Sequence, residues 1–142
     1  MKEIYCWSRN RKVNVKISTP ESKTKLKEII KKKNNFLIHG NGRSYGDVCL
    51  NKNNLISMRN FKKILKFDKN KGELEAESGI LMSELLPFII KENFFIPVTA
   101  GTKYITLGGM VANNIHGKNV KNNYFSDYII SLELISNTGK SI

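Results

Sequence analysis

Cysteine is scarce in this sequence, and the spacing of the two that are present excludes the usual cysteine-based architectures. Cys6 and Cys49 are too few for a disulfide framework, and no CxxC pair with the spacing of metal ligands occurs. We therefore expect two plain thiols, and we assign no residue to a metal site.

Long apolar runs are also absent. No stretch approaches the roughly 20 apolar residues that a membrane-spanning helix requires, and the N-terminus lacks the apolar core of a secretion signal. These absences predict a protein with no transmembrane segment and a cytoplasmic location. The 142 residues, of which 40% are hydrophobic, suffice for one soluble domain with a modest core.

Acidic residues are few, 12 against 24 basic ones, which leaves a formal net charge of +12. Such an excess can bind the phosphate backbone of nucleic acid by releasing counterions. However, the cations are mostly lysines scattered along the chain, and the dense run at residues 31–33 falls at the predicted end of a helix, where cations are favourable anyway. The pattern disfavours nucleic-acid binding.

The first third of the chain has a strand, helix, strand pattern. Residues 13–17 alternate apolar and polar side chains, which predicts a half-buried strand. Thr19 is predicted as the N-cap of a helix with Pro20 in its first turn, and Asn34 is predicted to end that helix. Residues 36–38 then form a second strand, so this part is α/β in character.

A glycine-rich loop, HGNGRSYGD at residues 39–47, follows the second strand. It does not fit the dinucleotide fingerprint GxGxxG, because the third glycine position falls on Tyr45, and no GK[ST] follows for a Walker loop. Three glycines in nine residues nevertheless indicate a bend at which the backbone comes close to another group.

The middle of the chain carries local signals for a hairpin and a helix. Residues 64–67 and 74–77 flank a turn sequence that ends in Gly72, which predicts two paired strands. Residues 82–92 place apolar side chains on one broad face and are predicted to form a helix that Pro87 bends near its start.

A second glycine-rich region, PVTAGTKYITLGGMVANNIHGKN, occupies residues 97–119. Thr106 is predicted to cap a short helix whose first turn contains Gly108 and Gly109. Glycines in a helix cost roughly 1 kcal/mol each relative to alanine, so the pair needs a compensating reason. Free amides and the close approach of an anion at the start of this helix would supply that reason.

The C-terminal segment predicts a strand at residues 128–135 and a turn at residues 137–139. The sequence stops shortly after this turn, so the predicted strand is short of a partner. We therefore expect the 142 residues to be a fragment that ends within a domain rather than at a natural boundary.

The two glycine-rich motifs together carry a family resemblance. GNGRSYGD and PVTAGTKYITLGGMVANNIHGKN, with MRNFKKILKFD and GELEAESGILMSELLPF in order between them, closely resemble the FAD-binding domain of the vanillyl-alcohol oxidase flavoprotein superfamily. Within it the match, from about Ser8 onward, is to the oxidases of decaprenylphosphoryl-ribose epimerisation. The resemblance implies an α+β, PCMH-type FAD-binding fold of two subdomains, at about residues 10–69 and 70–142, truncated within the second subdomain and without the substrate domain.

The same resemblance implies which residues hold FAD. In the first loop, backbone amides and the charge of Arg43 would wrap the diphosphate, and the implied residues are His39, Gly40, Asn41, Gly42, Arg43, Ser44, Tyr45, Gly46 and Asp47. In the second region they are Gly101, Thr102, Thr106, Leu107, Gly108, Gly109, Asn113, Asn114, Ile115 and His116. Many relatives attach FAD covalently to a histidine just after the loop glycine, where this chain has Asp47, so we expect non-covalent FAD.

Two catalytic roles also follow from the resemblance. His116 would lie beside the flavin and bind a substrate hydroxyl or share its proton. Lys118 would stabilise an anionic group, either the reduced flavin or a substrate phosphate.

The implied activity is that of an FAD-dependent oxidoreductase that removes hydride from a carbinol carbon. The implied substrate is a small sugar-like molecule or a lipid-linked polyprenyl-phosphoryl-sugar. For the intact protein, the resemblance also implies a reductase partner in an epimerase pair. This chain alone would be inactive. Two alternatives stay open, an aldonolactone or alditol oxidase of the same superfamily and a basic binding module whose glycine loops serve only as turns.

Overall fold

The computed structural model describes residues 1–117 and 123–142, which form two compact units. The first unit comprises Met1–Asn60 together with Ser131–Ile142, and the second comprises Phe61–Ile130. The predicted hairpin lies inside the second unit, where its two strands pair with each other.

A four-stranded sheet and one helix build the first unit. Its elements are β1 (Lys2–Tyr5), β2 (Lys12–Ser18), α1 (Lys23–Lys32), β3 (Leu37–His39) and β4 (Asn54–Ser57). The strand order is β1-β2-β4-β3, with β1 antiparallel to β2 and the remaining neighbours parallel. The predicted β-α-β order is confirmed, and the parallel pairing places the end of β3, with His39 opposite Ser57, at the start of the first glycine loop.

The N-cap of α1 is Ser22, so the prediction of Thr19 is wrong. The Ser22 hydroxyl oxygen accepts from the Lys25 amide at 3.2 Å, as an N-cap should. The carbonyls of Thr19 and Pro20 instead accept from the Asn60 side-chain amide at 3.4 and 3.2 Å, and Pro20 is fully buried. These tertiary contacts hold residues 19 and 20 outside the helix. Leu26 and Ile30 form its buried face.

The second unit contains a hairpin, two helices and a short 3-10 helix. Its elements are β5 (Ile64–Asp68), β6 (Glu73–Ala76), α2 (Met82–Lys91), α3 (Leu107–Ala112) and the 3-10 helix Phe125–Tyr128. The hairpin is confirmed, because the Asp68 carboxylate accepts from the amides of Asn70 and Lys71, and Gly72 adopts a left-handed φ of 67°. Helix α2 is confirmed and continues through Pro87.

Apolar side chains from both helices and their connections form the core of the second unit. Met82, Leu85 and Ile89 of α2 lie on one face and are buried. They belong to one cluster whose other members are Ile80, Val98, Met110 and Phe125. This cluster fixes the segments before and after α3, which carry the second set of predicted site residues.

The predicted strand at residues 128–135 is not formed among the described residues. Tyr128 ends the 3-10 helix, and Ile135 alone of this segment forms a bridge, with Ser141. The turn at residues 137–139 is confirmed, with Gly139 at a φ of 74°. Before the turn, Leu134 exchanges backbone hydrogen bonds with Ile142 at 2.9 and 2.8 Å. Ile130, Leu132 and Leu134 are exposed.

The two cysteines are free and buried, as predicted for plain thiols. Within residues 1–117 and 123–142, no helix has the length and apolar character needed to cross a membrane.

Candidate functional site

The first glycine loop begins where β3 ends. The carbonyl of His39 accepts from the amide of Met58 at 3.0 Å, which holds the start of the loop against the end of β4. Gly42 and Gly46 have left-handed φ values of 60° and 65°, a conformation that side chains disfavour. A Cβ atom on Gly42 would also approach His39 Nε2 to 3.3 Å. Gly42 is therefore required both by its backbone conformation and by the imidazole beside it.

The backbone amides of this loop form a run of unused donors. In the part of the chain that the structure describes, the amides of residues 42–46 donate to no backbone carbonyl. The run ends at a turn in which the Leu50 amide donates to the Asp47 carbonyl at 2.9 Å. Successive amides in a glycine-rich bend make a concave donor surface that suits an anion such as a phosphate.

Two buried side-chain nitrogens beside these amides also lack partners among the described residues. They are Nε2 of His39 and Nε of Arg43. The guanidinium of Arg43 is otherwise held, because Nη1 donates to the Asn41 carbonyl at 2.7 Å and its carbon lies 4.8 Å from the centre of the Trp7 ring. A buried donor without an acceptor costs about 1–3 kcal/mol, so each such atom in a native fold calls for a ligand or another explanation.

Burial sets the protonation state of His39. Removal from solvent lowers the pKa of His39 below its usual 6.5, a hydrogen bond with the Gly40 backbone acts in the opposite direction, and the charge of Arg43 lowers it further. The imidazole is therefore neutral at pH 7. In that form its Nε2 either donates or accepts a hydrogen bond, according to the tautomer.

The lowered pKa of His39 predicts a loss of stability in mild acid. Below pH 6.5 the unfolded chain binds a proton at this histidine more readily than the folded protein does, so the free energy of unfolding falls as the pH falls. The slope is at most about 1.4 kcal/mol per pH unit, the limit for one proton. We expect His39→Gln to flatten this slope in urea titrations at pH 7.5, 6.5 and 5.5. Every other ionisable group is common to both proteins, so parallel curves would contradict the assignment.

Among the other polar side chains of the loop, those of Tyr45 and Asp47 are exposed. Asp47 forms an exposed ion pair with Arg11 at 2.9 Å. Tyr45 is 84% exposed, so its ring contributes little to the folded core. Ser44 is half-buried.

The start of α3 does not have the free amides that were expected. Thr106 caps the helix as predicted, accepting from the Gly109 amide at 3.1 Å. However, the amides of Leu107 and Gly108 donate to the carbonyls of Ile80 and Ser78 at 2.9 and 2.7 Å. All three donors are thus used within the second unit. A Cβ atom on Gly108 would lie 3.0 Å from Ser78 Cβ, so this glycine permits close packing of α3 on the protein's own chain.

Gly101 and Thr102 precede α3 in a bend. The Thr102 hydroxyl oxygen accepts from the Tyr104 amide at 3.2 Å. A Cβ atom built on Gly101 would meet nothing within 4 Å. Nothing in the described fold thus requires glycine here, which leaves the surface at Gly101 open to a ligand.

Residues 113–116 directly follow α3. The Asn113 side-chain amide donates to the Gly109 carbonyl at 2.7 Å, and the Asn114 side-chain oxygen accepts from the Ser126 amide at 3.0 Å. The carbonyl of half-buried Ile115 accepts from the Phe125 amide at 2.9 Å. These predicted flavin contacts are therefore engaged in holding the local fold.

His116 is exposed at the end of this segment. Its ring meets the ring of Tyr124 edge to face, with centres 6.3 Å apart, and the two residues form an isolated antiparallel bridge. Its imidazole is thus oriented by an aromatic neighbour and open to solvent. Lys118, the other predicted catalytic residue, lies outside the described residues.

Gly117 and Trp7 are two features that sequence reasoning missed. A Cβ atom on Gly117 would lie 2.0 Å from the Thr99 carbonyl oxygen, so the two backbone segments touch. Trp7 covers the guanidinium of Arg43 from a turn that is distant in sequence. The chain has a single tryptophan, placed in a turn just ahead of an arginine-rich stretch, and that is the signal that could have drawn attention to it.

Comparison with known proteins finds relatives over most of the chain. The sequence profile of the FAD binding domain matches residues 16–142. Decaprenylphosphoryl-beta-D-ribose oxidase of Mycolicibacterium smegmatis is 30% identical over 106 residues, which are 73% of this chain and 23% of that protein. L-gulonolactone oxidase of Mus musculus is 25% identical over 100 residues, which are 70% of this chain and 23% of that protein.

A solved structure shares the fold. An alkyldihydroxyacetonephosphate synthase superposes with a TM-score of 0.74 at 21% sequence identity, covering 89% of this chain and 26% of that one. The predicted α+β fold is thereby confirmed. The chain spans about a quarter of the length of the relatives and of the structure that it matches.

Proposed function

Because this chain belongs to the family of PCMH-type FAD-binding domains, we propose that the protein containing it is an FAD-dependent oxidoreductase acting on a CH–OH group of a sugar-like substrate. The observation that carries the proposal is made at the first glycine loop. There the amides of residues 42–46, which donate to no backbone carbonyl of the described residues, adjoin buried nitrogens of Arg43 and His39 that likewise have no partner in the described chain. A diphosphate supplies acceptor oxygens for the amides and for the Arg43 nitrogen.

The loop would hold the diphosphate with donors that are already in position. Backbone amides cost no side-chain entropy when they bind an anion, and Gly42 and Gly46 allow the chain to turn them to one side. Arg43 would add a charge-assisted hydrogen bond through Nε. In the second unit we propose the open surface at Gly101 and Thr102 as a further contact with the cofactor.

Retention of FAD would be non-covalent. Covalent attachment in this superfamily uses a histidine at the position of Asp47, whose carboxylate here pairs with Arg11. A carboxylate engaged by an arginine has no nucleophilic nitrogen to offer the flavin. We therefore propose that the cofactor is held by hydrogen bonds and charge alone.

Bound FAD would supply the hydride acceptor, at N5 of its flavin ring, for oxidation of the substrate alcohol. His116 would bind the substrate hydroxyl and hold its proton, because its imidazole is exposed and oriented by Tyr124. Lys118 is proposed to bind an anionic group of the flavin or substrate. The reductase partner stays a prediction.

Two substrate classes remain as proposals. A polyprenyl-phosphoryl-sugar is favoured by the relative named decaprenylphosphoryl-beta-D-ribose oxidase, at 30% identity. An aldonolactone is favoured by the relative named L-gulonolactone oxidase, at 25% identity. Both classes present a secondary alcohol, and an oxidation assay on each with the full-length protein separates them.

The visible absorption spectrum of the purified full-length protein tests the proposal. We expect a yellow protein with flavin absorption bands. When the protein is unfolded in urea and filtered, FAD should pass through the filter and not stay with the chain. The bands should bleach when the correct substrate is added without oxygen. A colourless protein that takes up no FAD on reconstitution would contradict the function and favour a basic binding module; flavin that stays with the unfolded chain would contradict non-covalent binding.

A further inference from the structure

Trp7 occupies a hydrogen-bonded turn, and its ring contacts Arg43 of the first glycine loop. It lies between β1 and β2, where the Cys6 amide donates to the Arg11 carbonyl at 3.1 Å and the Arg9 amide donates to the Cys6 carbonyl at 3.0 Å. The Trp7 side chain is 44% exposed. Burial of apolar area alone therefore gives a weak reason for the largest side chain at this position.

The contact that the Trp7 ring does make is with Arg43. The guanidinium carbon lies 4.8 Å from the ring centre, within the range of a cation–π contact. Tyr5, the other aromatic residue of this region, contacts different cations. Arg9 and Lys12 lie 5.8 and 5.9 Å from the centre of its ring. The two aromatic rings thus contact different cations, and the cation at Trp7 has a buried nitrogen without a partner in the part of the chain that the structure describes.

We propose that Trp7 is a positioning residue for FAD binding, acting through Arg43. The inference rests on the proposed function, because it assigns Arg43 to the diphosphate. Two restraints orient the guanidinium, the stack on Trp7 and the hydrogen bond from Nη1 to the Asn41 carbonyl at 2.7 Å. Together they hold the guanidinium in place, while Nε keeps no partner among the described residues.

The physical basis is preorganisation of a flexible side chain. Arginine has many rotamers, and a guanidinium that is free to turn toward water binds an anion only in the fraction of time that it spends in the loop. An aromatic face holds the planar guanidinium without using its hydrogen bonds, so the donors stay available. An ammonium group would not be held in the same way, since lysine has no planar group to stack.

A double-mutant cycle in the full-length protein tests this role. Trp7→Leu and Trp7→Phe are made in the wild type and in Arg43→Ala, and the Kd for FAD is measured by titration of the apoprotein. We expect Trp7→Leu to raise the Kd five- to tenfold, Trp7→Phe to restore most of the affinity, and Trp7→Leu to have less than a twofold effect in the Arg43→Ala background. Riboflavin, which lacks the diphosphate, should bind the wild type and Trp7→Leu equally.

A control variant and a replacement variant complete the experiment. Phe95→Leu removes another exposed aromatic, 62% exposed and in the second unit, and should leave the Kd within twofold of the wild type. Should Trp7→Leu fail to fold, Trp7→Met replaces it in the same cycle, with the same expectation of non-additive losses.

Three outcomes overturn the inference in distinguishable ways. Wild-type protein that binds no FAD contradicts the proposed function and the role of Trp7 with it. Normal wild-type binding with effects that multiply in the double mutant shows that Trp7 acts independently of Arg43. Normal binding with an equal loss in Trp7→Phe, or with an equal loss of riboflavin affinity, shows a general structural role instead.

Discussion

Replacing Gly117 by alanine is expected to lower the free energy of unfolding of the second unit by about 3 kcal/mol, the upper end of the usual cost of overpacking. The new Cβ atom would lie 2.0 Å from the carbonyl oxygen of Thr99 and 3.0 Å from its nitrogen and carbonyl carbon. These are backbone atoms, so no rotamer change can relieve the collision. One of the two segments must move away, and both flank predicted site residues.

The measurement is chemical unfolding, with Gly101→Ala as the matched control. Both variants make the same substitution in the second unit, but the Cβ atom at Gly101 would meet none of the described residues within 4 Å. We expect Gly101→Ala to stay within about 0.5 kcal/mol of the wild type, as a surface change does. Equal unfolding midpoints for the two variants would show that the close approach of Gly117 to Thr99 is not present in the protein.

The elements that could be predicted from the sequence are those specified by neighbours along the chain. The hairpin follows from the turn residues Asp68 and Gly72, whose side-chain hydrogen bond and left-handed backbone act within the turn itself. The cap at Thr106 likewise acts on the amide of Gly109, three residues on. Such signals survive in any tertiary setting, so the sequence pattern and the structure agree.

The elements that could not be predicted depend on partners distant in sequence. Strand β4 is four residues long and begins with an asparagine, yet Leu55 and Ile56 are fully buried because the strand lies between β2 and β3. Conversely, residues 128–135 have a strand pattern, but among the described residues the backbone pairing is confined to the end of the segment, at Leu134 and Ile135. Strand formation is decided by pairing, which the local pattern does not contain.

The same distinction explains the candidate site. Glycines in the first loop predicted a close backbone approach, and the left-handed φ of Gly42 agrees with that reading. At Gly108 the backbone does come close to another group, but that group is Ser78 of the same chain. The spacing of glycines in a sequence does not distinguish such a contact from one with a ligand. The stack of Trp7 on Arg43 joins two turns that are far apart in sequence, so it became visible only in the fold.

Replacing Arg43 by alanine is expected to weaken FAD binding roughly 10- to 150-fold, which corresponds to the loss of a charge-assisted hydrogen bond of about 1.5–3 kcal/mol. The reason is the buried Nε, which has no acceptor among the described residues and would gain one from the diphosphate. The apoprotein should be affected far less. Removing a buried unpartnered donor relieves a cost of about 1–3 kcal/mol, which offsets the lost contacts with Asn41 and Trp7.

The distinguishing result is therefore a loss of affinity without a loss of apoprotein stability. Flavin titration gives the Kd, and thermal unfolding with and without FAD gives the stabilisation by the cofactor, which should shrink in Arg43→Ala as its Kd rises. Lys12→Ala is the control, because it removes one cation of the first unit, an exposed partner of Glu3 at 2.8 Å. If both variants raised the Kd for FAD equally, general attraction by the basic surface would explain the binding. An unchanged Kd in Arg43→Ala would show that Arg43 does not bind the diphosphate, since deleting a donor that binds the diphosphate must weaken the affinity.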